Sequence, residues 1–178
     1  LALELGRRGR ARSVCALSPA GLWESSHDLD GRKRLAATVA LTRWTRPLLP
    51  VFARSAAVRR FALRDNAVHG ERTGQRGLIA LADAVLGCDV ASDLLDTPEQ
   101  FEPLEVSYPV DVVWSGVDRI FPAARFAAVA RQRIPGARHL QLEGVGHVPM
   151  IDDPELVART ILQTVSRAAR GISAQSVT

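Results

Sequence analysis

Gly144-Val145-Gly146-His147-Val148-Pro149-Met150-Ile151-Asp152-Asp153-Pro154-Glu155 decides how this chain reads. Two glycines flank a histidine and allow a close approach and an unusual backbone path. Asp153 followed by Pro154 has the start signals of a helix, a capping side chain and then proline at the first helical position. His139-Leu140-Gln141-Leu142 just upstream predicts a strand, so His147 lies past a strand's carboxyl end. Further out, Val110 to Trp114 is a short, nearly continuous apolar run leaving Pro109, the pattern of a strand covered on both faces. It is followed by Ser115-Gly116-Val117-Asp118-Arg119-Ile120-Phe121-Pro122, and Ala123 to Arg133 is an amphipathic helix. Strand, helix, strand, helix with short links predicts an α/β fold with a parallel sheet. Function in such sheets lies at the carboxyl ends of the strands. The separation of Asp118 from His147, 29 residues, is what one crossover helix plus one strand requires. A carboxylate that accepts from an imidazole fixes its tautomer and stabilises the imidazolium, as a general base needs. The pair is two-thirds of a nucleophile–base–acid triad.

The rest of the chain fits around this core. Ser13 to Leu17 predicts another buried parallel strand, and Leu1 to Gly9 the end of a helix closed by glycine and arginine. Between about Glu24 and Phe101 no strand is evident. Helical spacing occurs over Arg34 to Trp44, resumes from Val51 to Leu63 after Pro47 and Pro50, and returns over Thr73 to Leu86 with Leu78, Leu81, Ala82 and Val85 on one stripe. Thr97-Pro98-Glu99-Gln100 carries the start signals of a further short helix. The helix opened by Asp153 is expected to run to about Ala169.

These residues resemble the α/β-hydrolase fold family. The resemblance covers nearly the whole chain and rests on Val110 to Pro122, on Gly144 to Val157 and on the passage Ala16-Leu17-Ser18-Pro19-Ala20-Gly21. In that family nucleophile, acid and histidine follow in that order along the chain. The resemblance implies that Asp118 is the acid and His147 the histidine. It makes residues 1–23 the end of the nucleophile helix and the sixth strand, 24–101 a helical cap, and 102–178 the last strands and helices of the core. It implies hydrolysis of a small apolar ester or related acyl compound by a Ser-Asp-His triad, with no cofactor. No Gly-x-Ser-x-Gly occurs in the 178 residues, so the nucleophile and the oxyanion-hole amides are expected upstream of Leu1, and the fragment alone is expected to be inactive. Ser115 stands where many members have a glycine before the acid. Two other readings stay open: a dehalogenase or epoxide hydrolase with an upstream Asp nucleophile, or a hydrolase-like binding module without chemistry.

Composition bounds the partners. With 47% hydrophobic and 24% charged residues the chain can bury one sizeable core, and disordered and collagen-like classes are excluded. No apolar run approaches the roughly 20 residues of a membrane span, and the first residues carry charge where a signal peptide would be apolar. Cys15 and Cys88 lie outside any metal-ligand spacing, which suits a reducing, cytoplasmic setting. Net charge is +4, but it is distributed as 15 Lys+Arg against 6 Asp+Glu over residues 1–76, none against 9 over 77–118, and 8 against 4 over 119–178. A duplex binder needs a continuous cationic face. We therefore expect a small-molecule substrate rather than nucleic acid or membrane, together with self-association if a sheet edge is left uncovered.

Several residues carry plainer expectations. Asp152 and Asp153 read as N-terminal helix charges, and His27, His69 and His139 as exposed or strand-start histidines. Trp23, Trp44, Phe52 and Phe61 read as core or as a pocket lining under the cap. Cys15 reads as a small buried hydrophobe, and no residue set suggests a metal.

Overall fold

A computed structural model describes residues 1–22, 29–89 and 101–175, the side chains of 29–35 and 171–175 excepted. Trp23, His27 and the helix start at Thr97 lie outside the described residues. Three strands, β1 (Val14–Leu17), β2 (Val110–Ser115) and β3 (Arg138–Leu142), form one parallel sheet in the order β1-β2-β3. Val14 pairs with Val110, and Ser115 with Leu142. All six residues of the middle strand are buried, which is why its sequence is nearly continuously apolar.

Side chains alternate across the strands. Val110, Val112 and Trp114 join Val14 and Ala16 of β1 on one face. They pack with Leu3 of α1 (Ala2–Arg7), with Phe126, Ala127 and Ala130 of α6 (Ala123–Arg133) and with Ile134 just past the end of α6. Val113 turns the other way, into a cluster with Leu142, Val145 and Val157, the last on α8 (Pro154–Gln175). Helices thus cover both faces. The bounds expected for α6 hold, whereas α8 runs past Ala169 and through Gly171. Asp153 caps α8 as expected, its Oδ1 accepting the Leu156 amide at 2.8 Å.

Between β1 and β2 the described elements are all helical: α2 (Leu29–Thr45), a 3₁₀ turn (Arg46–Leu48), α3 (Leu49–Phe52), α4 (Ala56–Ala62), a second 3₁₀ turn (Gly70–Thr73) and α5 (Gly74–Leu86). The single helix expected over Val51 to Leu63 is broken at Ala53–Ser55. Ser55 is extended, and the carbonyls of Ala53 and Arg54 accept instead from the Arg59 guanidinium, each at 2.8 Å. Of the expected stripe on α5, Leu78 and Ala82 are buried while Leu81 is exposed. Leu78 packs with Ala53 and Leu63, and Ile151 from the far end of the chain joins them. Trp44, Phe52 and Phe61 are all exposed, which corrects the expectation that they are core. Among the described residues, no helix is long and apolar enough to cross a membrane.

Candidate active site

The loops after β2 and β3 are bonded to each other before any side chain is considered. The Gly116 amide donates to the Leu142 carbonyl at 2.7 Å, and the Val117 amide to the Val145 carbonyl at 3.0 Å. A Cβ on Gly116 would stand 3.1 Å from the Leu142 oxygen and 2.9 Å from Glu143 Oε2, so glycine permits the approach. Gly144 takes φ of +73° to turn the chain out of β3, a conformation glycine adopts at little cost. The two loops thereby deliver Asp118 and His147 to one place.

His147 Nδ1 lies 2.9 Å from Asp118 Oδ2. The other carboxylate oxygen, Oδ1, accepts the amides of Ile120 at 2.8 Å and Phe121 at 2.7 Å. The Asp118 side chain is fully buried, whereas 22% of the His147 side chain remains accessible. The Phe121 ring meets the imidazole edge to face, with centroids 5.3 Å apart. Burial would raise the Asp118 carboxyl, but the hydrogen bond with His147, the Phe121 amide, the His147 charge and the nearby Ser18 hydroxyl together hold it below its ordinary value. An ionised carboxylate can only accept, so the proton of a neutral His147 sits on Nδ1. Nε2, on the opposite edge of the ring, is then the basic nitrogen.

Ser18 follows β1 at φ +39°, a left-handed backbone uncommon outside glycine. It is buried, as is Ser115, and neither sits at a strand-to-helix elbow. Burial raises the Cys15 thiol, as expected of an inert small hydrophobe. His139 sits on β3 with both ring nitrogens buried and without hydrogen-bond partners, and burial lowers its imidazole. Among the described residues, no group of three His, Cys, Asp or Glu side chains is placed to hold a metal ion.

Sequence reasoning missed Asp152. It is the last residue of a short helix, α7 (Pro149–Asp152), rather than a surface charge on α8, and it is 3% exposed. Its carboxylate accepts the amides of Gly146, Val68 and His69. The signal available was two adjacent aspartates where one suffices to cap a helix. A shallow surface hollow of about 540 Å³ lies beside it against Arg72, Met150 and Glu155, and its lining includes neither Asp118 nor His147.

Among proteins of known description, epoxide hydrolase EphH of Mycobacterium tuberculosis (strain ATCC 25618 / H37Rv) is 29% identical over 188 residues, spanning 98% of this chain and 85% of that protein. No family model matches the chain. Two solved structures share its architecture. A membrane phospholipase A, described as a bacterial virulence factor, superposes with a TM-score of 0.58 at 20% identity over 94% of this chain and 53% of its own. Lip1 of Acinetobacter baumannii AYE, described as a candidate lipase, gives a TM-score of 0.60 at 13% identity over 96% and 57%. This chain therefore spans little more than half of either solved structure. With its parallel sheet and the placement of its helices, the chain has the α/β-hydrolase fold, of which it carries the C-terminal strands.

Proposed function

We propose that this chain supplies the acid and the base of a hydrolase, with Asp118 orienting His147 and His147 moving the proton, and that the nucleophile belongs to residues outside these 178. One observation carries the reading: Nδ1 of His147 faces a buried, ionised carboxylate at 2.9 Å, leaving Nε2 as a base of fixed tautomer. The helical insert between β1 and β2 acts as the cap over this pair.

The substrate class we favour is an epoxide, because the similarity to an epoxide hydrolase extends over 98% of the chain. An aspartate nucleophile is already an anion and needs no base to attack an epoxide carbon. The C–O bond of the ring breaks as the covalent ester forms, and the alkoxide oxygen takes a proton from a general acid outside these residues. His147 then takes a proton from water as it attacks the ester carbonyl and returns that proton to the departing diol oxygen; the proton left on the freed carboxyl goes back to the general acid, restoring the carboxylate. With a serine nucleophile the same His147 would instead deprotonate the hydroxyl, and the substrate would be the small apolar ester expected from sequence.

The two chemistries separate in one experiment on the full-length protein. Styrene oxide and p-nitrophenyl butyrate are offered in parallel, with a fluorophosphonate probe for activated serine. Diol formation without labelling is the expected result. Labelling together with ester cleavage would replace the epoxide reading by the ester one, and no turnover of either substrate would overturn both.

A further inference from the structure

The backbone on both sides of His147 is tied to one stretch of the helical insert. Val148, which follows the histidine, donates its amide to the Asn66 carbonyl at 2.7 Å. Gly146, which precedes it, donates to Asp152 Oδ2 at 2.8 Å. The same Oδ2 accepts the Val68 amide at 3.1 Å, and Oδ1 accepts the His69 amide at 2.6 Å. The Asp152 carbonyl takes a further hydrogen bond from Arg72 Nη1. Steric fit closes the arrangement, since a Cβ on Gly146 would stand 2.8 Å from Ala67 Cα and 2.9 Å from the Asn66 oxygen.

We propose that Asp152 is a positioning residue for His147: its buried carboxylate latches the Asn66–Arg72 segment of the insert onto the histidine loop, so that insert and base are held as one body. The proposal rests on the reading of His147 as the base.

The chemistry of the group favours this role over that of a helix charge. Three amide donors from two distant parts of the chain converge on one side chain. A carboxylate has about four acceptor positions on two oxygens, whereas a carboxamide has one oxygen and an NH₂ that would face a backbone donor. Bonds from amides to an ionised carboxylate are also stronger than neutral ones. Asp152→Asn keeps the volume but sets donor against donor, and it releases either His69 or the pair Gly146 and Val68.

The test is nuclear magnetic resonance of the His147 ring in the full-length protein, with the far-ultraviolet circular dichroism of each variant alongside. The unaltered protein is expected to show a slowly exchanging Nδ1 proton, held between His147 and Asp118. In Asp152→Asn that proton is expected to exchange at least about tenfold faster with the dichroism unchanged, the factor that the loss of one buried hydrogen bond allows. An unchanged exchange rate in the variant overturns the latch alone. Absence of the proton from the unaltered protein overturns the base reading itself. Should the variant fail to fold, amide exchange in the unaltered protein decides. Gly146, Val68 and His69 are expected to share one opening, with protection within about threefold of each other. Protection of Gly146 differing by more than about tenfold from that of Val68 and His69 overturns the latch.

Discussion

The two oxygens of Asp118 serve different partners, and this explains why a turn residue and an acid look alike in sequence. Oδ1 closes the turn onto Ile120 and Phe121, while Oδ2 meets His147. The two roles come apart by substitution. Asp118→Asn retains an oxygen for the turn amides but presents an NH₂ to His147, forcing the wrong tautomer. We predict a loss in turnover of about 10⁴, as misorienting a triad base produces, with a lower melting temperature of the full-length protein at pH 7, because the ionised carboxylate that His147 and the turn amides stabilise is gone. Asp118→Ala also strips the turn amides of their acceptor and is predicted to cost a further 1–3 kcal/mol or so of stability, read by denaturant titration. An asparagine variant that keeps activity within tenfold would show that His147 does not depend on this carboxylate.

At the scale of elements, the histidine loop is shaped by contacts with segments far away in sequence. Gly146→Ala would push a methyl group against Ala67 and Asn66. Overpacking of this kind typically costs about 1–3 kcal/mol. The prediction is that the variant melts lower and that the Val148 amide, bonded to Asn66, exchanges faster, and an unchanged exchange rate would contradict it. Elements decided by local chemistry are legible in the sequence. β2 is legible because burial on both faces makes Val-Asp-Val-Val-Trp apolar, and the start of α8 because Asp153 and Pro154 act within one turn. The pairing of Asp118 with His147 was legible from strand-tip positions alone. What stays hidden depends on distant partners. The break between α3 and α4 is stabilised by Arg59, and Asp152 finds its amide donors 83 and 84 residues away. Nothing in the spacing of Trp44, Phe52 and Phe61 shows that they face solvent.

Across the whole molecule, a second buried carboxylate ties the opposite end of the sheet together. Asp111 on β2 is fully buried, takes a two-pronged contact from Arg138 of β3 at 2.7 and 3.0 Å, and is also bonded by Thr164 and Arg167 of α8. Burial would raise its carboxyl, but Arg138, Thr164 and Arg167 outweigh this and hold it below its ordinary value. The stability it contributes is thus fully present above the unfolded-state value, near pH 4, and disappears as pH falls through the lower folded-state value. Asp118 adds to the same window with the same sign. Thermal melts are predicted to change little between pH 7 and 5 on account of these groups and to fall steeply below 4. Asp111→Ala, which leaves two arginines facing an empty position, is predicted to cost about 3–5 kcal/mol at pH 7, and a loss under 1 kcal/mol would contradict this. Among the described residues β1 pairs with β2 on one edge and with no strand on the other. The 178 residues expressed alone are therefore predicted to self-associate, and a monomer by sedimentation would contradict that. A double-mutant cycle on kcat/KM in the full-length protein reads whether Asp118 and His147 act as one catalytic unit. Residues that act as a unit are strongly non-additive. His147→Ala is predicted to lose about 10⁴, and adding Asp118→Asn to lose little more; losses that multiply, or a His147→Ala loss below tenfold, would contradict the account.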